Sequence, residues 1–199
     1  MEIKNQSVRA VTVYASSSSQ IAPVYFEAAR TLGKLFAEKK IICINGGGNK
    51  GLMGAVSDAV LEYGGEVVGI IPQFMLEQGW GHERLTEQII TSGMHERKQL
   101  LAEKADACIA LPGGIGTLDE LMEIITWKQL GLYVKPIAIL NTNDYYSNLL
   151  EMLARAQHEK FMHEKHTSMW TVAHTPEEAI RKIKKNRVWE EHPLEFAAL

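Results

Sequence analysis

Between an apolar run at Ala107–Leu111 and a helix-period segment at Leu118–Leu130 stands the turn Pro112-Gly113-Gly114-Ile115-Gly116-Thr117, followed at once by Leu118-Asp119-Glu120. A glycine-rich passage from strand to helix leaves backbone N–H groups bare at the helix N-terminus, where the helix dipole favours an anion such as phosphate. With Glu120 within the first helical turn, the stretch joins an anion cradle to an acid. That pairing points to chemistry on a phosphorylated substrate rather than to binding alone. The spacing has a second reading: Thr117-x-x-Glu120 is a capping box, in which Thr caps the helix and Glu reaches back to an N–H. Glu123 follows three residues later on the same helix face, so two carboxylates can address one site.

A second glycine loop, Gly46-Gly47-Gly48-Asn49-Lys50-Gly51-Leu52-Met53-Gly54, follows the apolar run Ile41–Ile44 and contains G-x-G-x-x-G. A dinucleotide site also needs an acid at the far end of the next strand, to hold a ribose hydroxyl. Here Glu66 precedes the strand Val67–Ile71, at the wrong end, which argues against an NAD-dependent oxidoreductase. A Walker A loop fails because Leu52-Met53 stands where Lys-Ser/Thr is required. Two readings stay open for this loop alone: a phosphate or nucleotide wall, or a tight turn allowing close helix packing. Two glycine turns on one sheet edge favour a mononucleotide between them. On the same edge Ser16-Ser17-Ser18-Ser19 offers hydroxyls and N–H groups for phosphate or ribose, or serves as a polar turn before a helix. Met94-His95-Glu96-Arg97-Lys98 opens a helix after the strand Glu87–Thr91, and the planar fork of Arg97 suits phosphate or carboxylate. An Arg-Lys pair of this kind is otherwise a solvated face.

These residues require a scaffold that brings strand ends together. Strands are expected at Ala10–Tyr14, Ile41–Ile44, Val67–Ile71, Glu87–Thr91, Ala107–Leu111, Ile137–Leu140 and Met169–Val172. Helices are expected at Pro23–Lys39, Leu52–Tyr63, Met94–Lys104, Leu118–Leu130, Tyr145–Gln157 and Pro176–Lys184, while Pro72–Arg84 reads as a loop with one helical turn. Several strands are apolar on both faces, as in a parallel sheet covered by helices on each side. The alternation gives a doubly wound α/β fold of about seven strands, with ligands beyond the carboxyl ends of the strands. No repeat or low-complexity linker marks a boundary, so residues 1–199 read as one domain with tails at 1–8 and 186–199. Trp189, Leu194 and Phe196 in the second tail are candidates to dock on the body or on a partner.

Composition narrows the function classes. A formal net charge of -3 with no basic stripe argues against nucleic-acid binding. The opening Met1–Gln6 lacks the apolar core of a secretory signal and no apolar run reaches membrane-span length, so a cytoplasmic protein is expected. Cys43 and Cys108 each lie in an apolar run without C-x-x-C spacing, as buried free thiols in a reducing compartment do. His158, His163 and His166, with Glu159 and Glu164, do not have a standard metal-ligand spacing and read as a solvated helix end or loop. No metal site is expected.

Three segments taken together, Gly46-Gly47-Gly48-x-x-Gly51-Leu52-Met53-Gly54, Met94-His95-x-Arg97-Lys98 and Pro112-Gly113-Gly114-x-Gly116-Thr117-x-x-Glu120, resemble the Lonely Guy family over roughly residues 9–185. The resemblance implies a Rossmann-like homodimer that hydrolyses the N-glycosidic bond of a nucleoside 5'-monophosphate, AMP or a prenylated AMP, to free base and ribose 5-phosphate. It implies Arg97 and Glu120 as the essential pair. It also implies contacts to substrate from Ser17, Gly47, Gly48, Gly51, Met53, Gly54, Met94, Lys98, Pro112, Gly113, Gly114, Ile115, Gly116, Thr117 and Glu123. The family has also carried the label lysine decarboxylase, which no pyridoxal-phosphate lysine motif here supports. One departure is Ser16, at the position where the family has the glycine of Gly-Ser-Ser, which should alter the close backbone approach of that loop. Glu120 would then stabilise a cation-like ribose and orient or deprotonate water, with the phosphate on the amides of residues 113–117 and no cofactor required. Met53, Phe74, Met75, Trp80 and Trp127 are candidates for an apolar base pocket, or for plain core. The rival reading is a non-catalytic nucleotide-binding protein resembling molybdenum-cofactor carriers.

Overall fold

The computed structural model describes residues 8–185. Seven parallel strands form one sheet: β1 Ala10–Tyr14, β2 Ile42–Asn45, β3 Val67–Pro72, β4 Glu87–Thr91, β5 Ala107–Ala110, β6 Ile137–Leu140 and β7 Thr171–Ala173. Their spatial order is β4-β3-β2-β1-β5-β6-β7. Between them run the helices α1 Pro23–Glu38, α2 Gly51–Glu62, α3 Gln73–Glu77, α4 Met94–Glu103, α5 Ile115–Gln129, α6 Ser147–His158 and α7 Pro176–Lys185. This is the expected doubly wound α/β architecture with helices on both faces.

Alternation along each strand divides the core in two. On one face Val11 and Val13 of β1 pack with Leu32 and Phe36 of α1, Val56 and Val60 of α2, and Ile180 and Ile183 of α7. On the other, Tyr14, Ile44 and Ile70 pack with Leu101 of α4, Leu121 and Ile125 of α5, and Tyr146. Because each central strand is buried on both sides, its sequence reads as an apolar run rather than an alternation.

The strand order reverses at β1, which pairs with β2 on one side and β5 on the other. Loops leaving β1 and β5 therefore diverge and open a crevice, the usual ligand position of such sheets. Three expectations shift. The helix after β5 begins at Ile115, not Leu118, and the last strand begins at Thr171, not Met169. The helix placed at Tyr145 begins at Ser147; its first two residues belong to a turn that contains the left-handed Asn143 and Asp144. The tails, with Trp189, Leu194 and Phe196, lie outside the described residues.

His163 and His166 each accept a backbone N–H, from Lys165 and His163, in a short 3-10 turn over Glu164–Ser168. His166 is buried rather than solvated. Among the described residues no cluster of three metal-ligating side chains forms. None of the described helices is long and apolar enough to cross a membrane.

Candidate active site

The crevice at the sheet's switch point holds a cavity of about 640 Å³, within the usual range for a small-ligand site. Three loops and two helix N-termini enclose it. The floor is a charged pair. Arg97 in the first turn of α4 is buried; its Nε donates to the Ile70 carbonyl at 3.1 Å, which aims the guanidinium inward. Nη2 lies 3.6 Å from Oε1 of Glu120, itself buried on α5. Burial pushes the Glu120 carboxyl up to about 7, while Arg97 pulls it back down. A carboxylate poised near neutrality beside a fixed cation is an arrangement associated with general acid–base work.

The position of Glu120 excludes the capping role. With Gly114 as the N-cap and no side-chain cap bond, Thr117 is the third helical residue and Glu120 lies in the second turn. Its side chain cannot reach back to the N-cap N–H, so the carboxylate is available to the cavity. The first bond of the helix runs from the Leu118 N–H to the Gly114 carbonyl at 3.0 Å. The amides of Ile115, Gly116 and Thr117 therefore have no intrahelical acceptor, and all three residues line the cavity.

The other glycine loop works differently. At the start of α2 the Leu52 and Met53 amides both donate to the Ser16 carbonyl, at 2.8 and 3.2 Å, so that helix end is closed to an anion. Its glycines shape the wall instead. Buried Asn45 accepts the Gly47 N–H at 2.9 Å and donates to Ser57 of α2 at 2.8 Å, fixing the turn. Gly47 has φ +71° and lies against Ile71 and Gly69. A Cβ at Gly46 would overlap Nη2 of Arg97, so that glycine makes room for the guanidinium.

Gly51, with φ +63°, lets the serine loop approach: a Cβ there would lie 2.5 Å from the Ser16 carbonyl oxygen. Close contact is thus provided by Gly51, and Ser16 has no left-handed φ that would call for glycine. The Ser16 N–H donates to the Pro112 carbonyl at 3.3 Å, so the serine loop ties the two glycine turns together.

Of the residues expected to contact substrate, Ser17, Gly48, Met53, Met94, Gly114, Ile115, Gly116 and Thr117 line the cavity with Arg97 and Glu120. The others stand behind its wall. Gly47 and Gly51 serve the turns just described, and Gly54 packs against the Asn49 carbonyl. Pro112 accepts from Ser16, and Gly113 lies against the Thr117 side chain. Lys98 turns away and bridges Asp119 and Glu123 at 3.1 Å each, joining α4 to α5 beside the Arg97–Glu120 pair. Glu123 is therefore Lys98's partner, not a second acid in the cavity.

Of the apolar candidates, Met53, Met75 and Trp80 line the cavity with Ile71 and Met94; Phe74 and Trp127 do not. Ser16 and Ser18 of the serine loop, offered by the sequence as ligand candidates, also line the cavity, whereas Asn49, Lys50 and Asp119 were not singled out. The x positions of the glycine loop were the available signal for Asn49 and Lys50.

The family described as possible lysine decarboxylase matches residues 53–183. A cytokinin riboside 5'-monophosphate phosphoribohydrolase of Arabidopsis thaliana is 40% identical over 185 residues, covering 93% of this chain and 85% of its own length. Another, from Oryza sativa subsp. japonica, is 41% identical and covers 89% of this chain and 73% of its own. Among solved structures, the molybdenum cofactor carrier protein of Chlamydomonas reinhardtii has a TM-score of 0.69 at 20% identity, covering 90% of this chain and 98% of that one. The molybdenum cofactor binding protein of Rippkaea orientalis has a TM-score of 0.68 at 23% identity, covering 90% and 97%. At those identities the likeness to the two carriers is one of fold.

Proposed function

Because the chain belongs to the Lonely Guy family of cytokinin riboside 5'-monophosphate phosphoribohydrolases, we propose that it hydrolyses the N-glycosidic bond of a nucleoside 5'-monophosphate, releasing free base and ribose 5-phosphate. The observation that carries this reading is the buried Arg97–Glu120 pair beneath the open N-terminus of α5. The 5'-phosphate rests on the amides of Ile115, Gly116 and Thr117. Glu120, about one and a half helical turns further along the same helix, lies beneath the ribose.

Loss of the base passes through a cation-like ribose. The ionised Glu120 stabilises that charge and orients or deprotonates the attacking water. Arg97 keeps the carboxylate ionisable at neutral pH and helps to position the substrate. The apolar wall of Met53, Ile71, Met75, Trp80 and Met94 suits a prenylated adenine; with plain adenine the reaction is of AMP nucleosidase type.

A homodimer is part of the proposal, supported by the exposure of Ile115 (86%) beside the anion site and of Leu132 (72%). A reducing cytoplasm suits the buried free thiols of Cys43 and Cys108. Chromatography of reactions with AMP, GMP, CMP and isopentenyl-AMP tests the reading: free base accumulates, fastest from the preferred nucleotide. Tight binding without release of base would instead identify a carrier, which has no need of an acid beneath the sugar.

A further inference from the structure

Two adjacent tyrosines outside the cavity wall hold the anion-binding turn from behind. The Tyr146 hydroxyl donates to the Leu111 carbonyl at 2.7 Å, and the Tyr145 hydroxyl donates to the Gly113 carbonyl, also at 2.7 Å. The Pro112 carbonyl between them accepts the Ser16 N–H. Three successive carbonyls, of Leu111, Pro112 and Gly113, are thereby held where the strand passes into the turn. The residues that follow, Gly114 to Thr117, line the cavity. Acceptance at the Gly113 carbonyl also polarises the peptide that carries the Gly114 N–H, whereas the Leu111 carbonyl is followed by Pro112 and has no N–H to strengthen.

The local chain is built to deliver this pair. After β6, left-handed Asn143 and Asp144 reverse the backbone, and Asn141 Oδ1 accepts the Tyr146 N–H at 2.6 Å. Asn and Asp tolerate that conformation better than most residues. The Tyr145 ring is wedged edge-on between Tyr25 of α1, at 5.8 Å, and Tyr146, at 5.0 Å. Burial pushes the Tyr146 hydroxyl far up, so it remains a donor throughout the working pH range.

The geometry points to Tyr145 and Tyr146 as positioning residues that preorganise the Pro112–Thr117 turn for the 5'-phosphate, an inference that rests on the proposed nucleotide site. Tyr145→Phe keeps the ring packing and removes only the hydroxyl, so it separates this role from folding.

The test is calorimetric titration of wild type, Tyr145→Phe and Tyr146→Phe with ribose 5-phosphate and with phosphate-free adenosine, together with steady-state kinetics on AMP or isopentenyl-AMP. Loss of one neutral hydrogen bond should weaken ribose 5-phosphate binding roughly three- to tenfold. The KM for the nucleotide should rise by a similar factor while kcat changes less than about twofold and adenosine affinity is unchanged. Unchanged ribose 5-phosphate affinity in both variants, or equal weakening for adenosine, overturns the inference. A wild-type protein that binds ribose 5-phosphate but releases no base contradicts the hydrolase reading and leaves the tyrosine test intact. One that does not bind ribose 5-phosphate overturns the tyrosine role as well.

Discussion

Glu120 carries opposite demands on stability and chemistry. Its carboxyl is raised from 4.5 to about 7 by burial, so between those pH values the folded chain holds a proton that the unfolded chain has lost. Stability from this group is present below pH 4.5 and is lost as pH rises through 7, by roughly 3 kcal/mol. Glu120→Gln should therefore lower turnover at least about 1,000-fold while raising resistance to urea at pH 8 above that of wild type. Equal or lower stability at pH 8 would mean that loss of the pairing with buried Arg97 outweighs relief of the desolvated carboxylate. For a carboxylate acting as base, kcat/KM should climb with pH through about 7 and then level. Arg97→Met should move that rise to higher pH, since it removes the cation that opposes burial. By spacing alone Glu120 read as a helix cap, and only the resemblance made it catalytic. The spacing from Thr117 was right for one, and only the start of α5 three residues earlier, at Ile115, removed it.

Elements decide which of two neighbouring residues faces the site. Arg97 and Lys98 are adjacent, yet one residue is about 100° of helix rotation, which sends Arg97 to the Ile70 carbonyl and Lys98 to α5. The resemblance implied both as ligands, and the spacing of the residues carries no information on which face α4 presents. The glycine loops show the same limit. Both were legible as strand-to-helix turns, but only packing reveals that the α2 end is closed by the Ser16 carbonyl while the α5 end stays open.

Gly46→Ala tests this division of labour. Its methyl would displace the guanidinium, so activity should fall at least tenfold with a stability loss of roughly 1 to 3 kcal/mol. Full activity in Gly46→Ala would mean that Arg97 does not need its present position. Gly51→Ala should behave differently. It combines positive φ with a clash on the Ser16 carbonyl, so its main effect should be a lower melting temperature.

At the scale of the whole chain, apolar runs separated by helix-period segments made the doubly wound sheet readable before any coordinates. Strands buried on both faces leave a sequence no other soluble arrangement accommodates as simply. Which strand ends meet was less readable, because spatial order depends on crossovers that local pattern does not encode; the reversal at β1 is what brings Ser16, Gly48 and Ile115 to one cavity. The two thiols report on the integrity of this core. Cys43 and Cys108 are buried with thiols pushed up to about 12, so they should react with a disulfide reagent only on global unfolding. Rapid labelling of the native protein would show that the sheet opens locally.

The central question for this protein is whether the buried acid beneath the anion site breaks the bond to the base. Incubation of the purified protein with isopentenyl-AMP, followed by quantification of both products, tests this most directly. Free base and ribose 5-phosphate should appear in equal amounts, and Glu120→Gln should yield neither while still binding the nucleotide. Undiminished release of base by Glu120→Gln, or binding by wild type with no release, would contradict it.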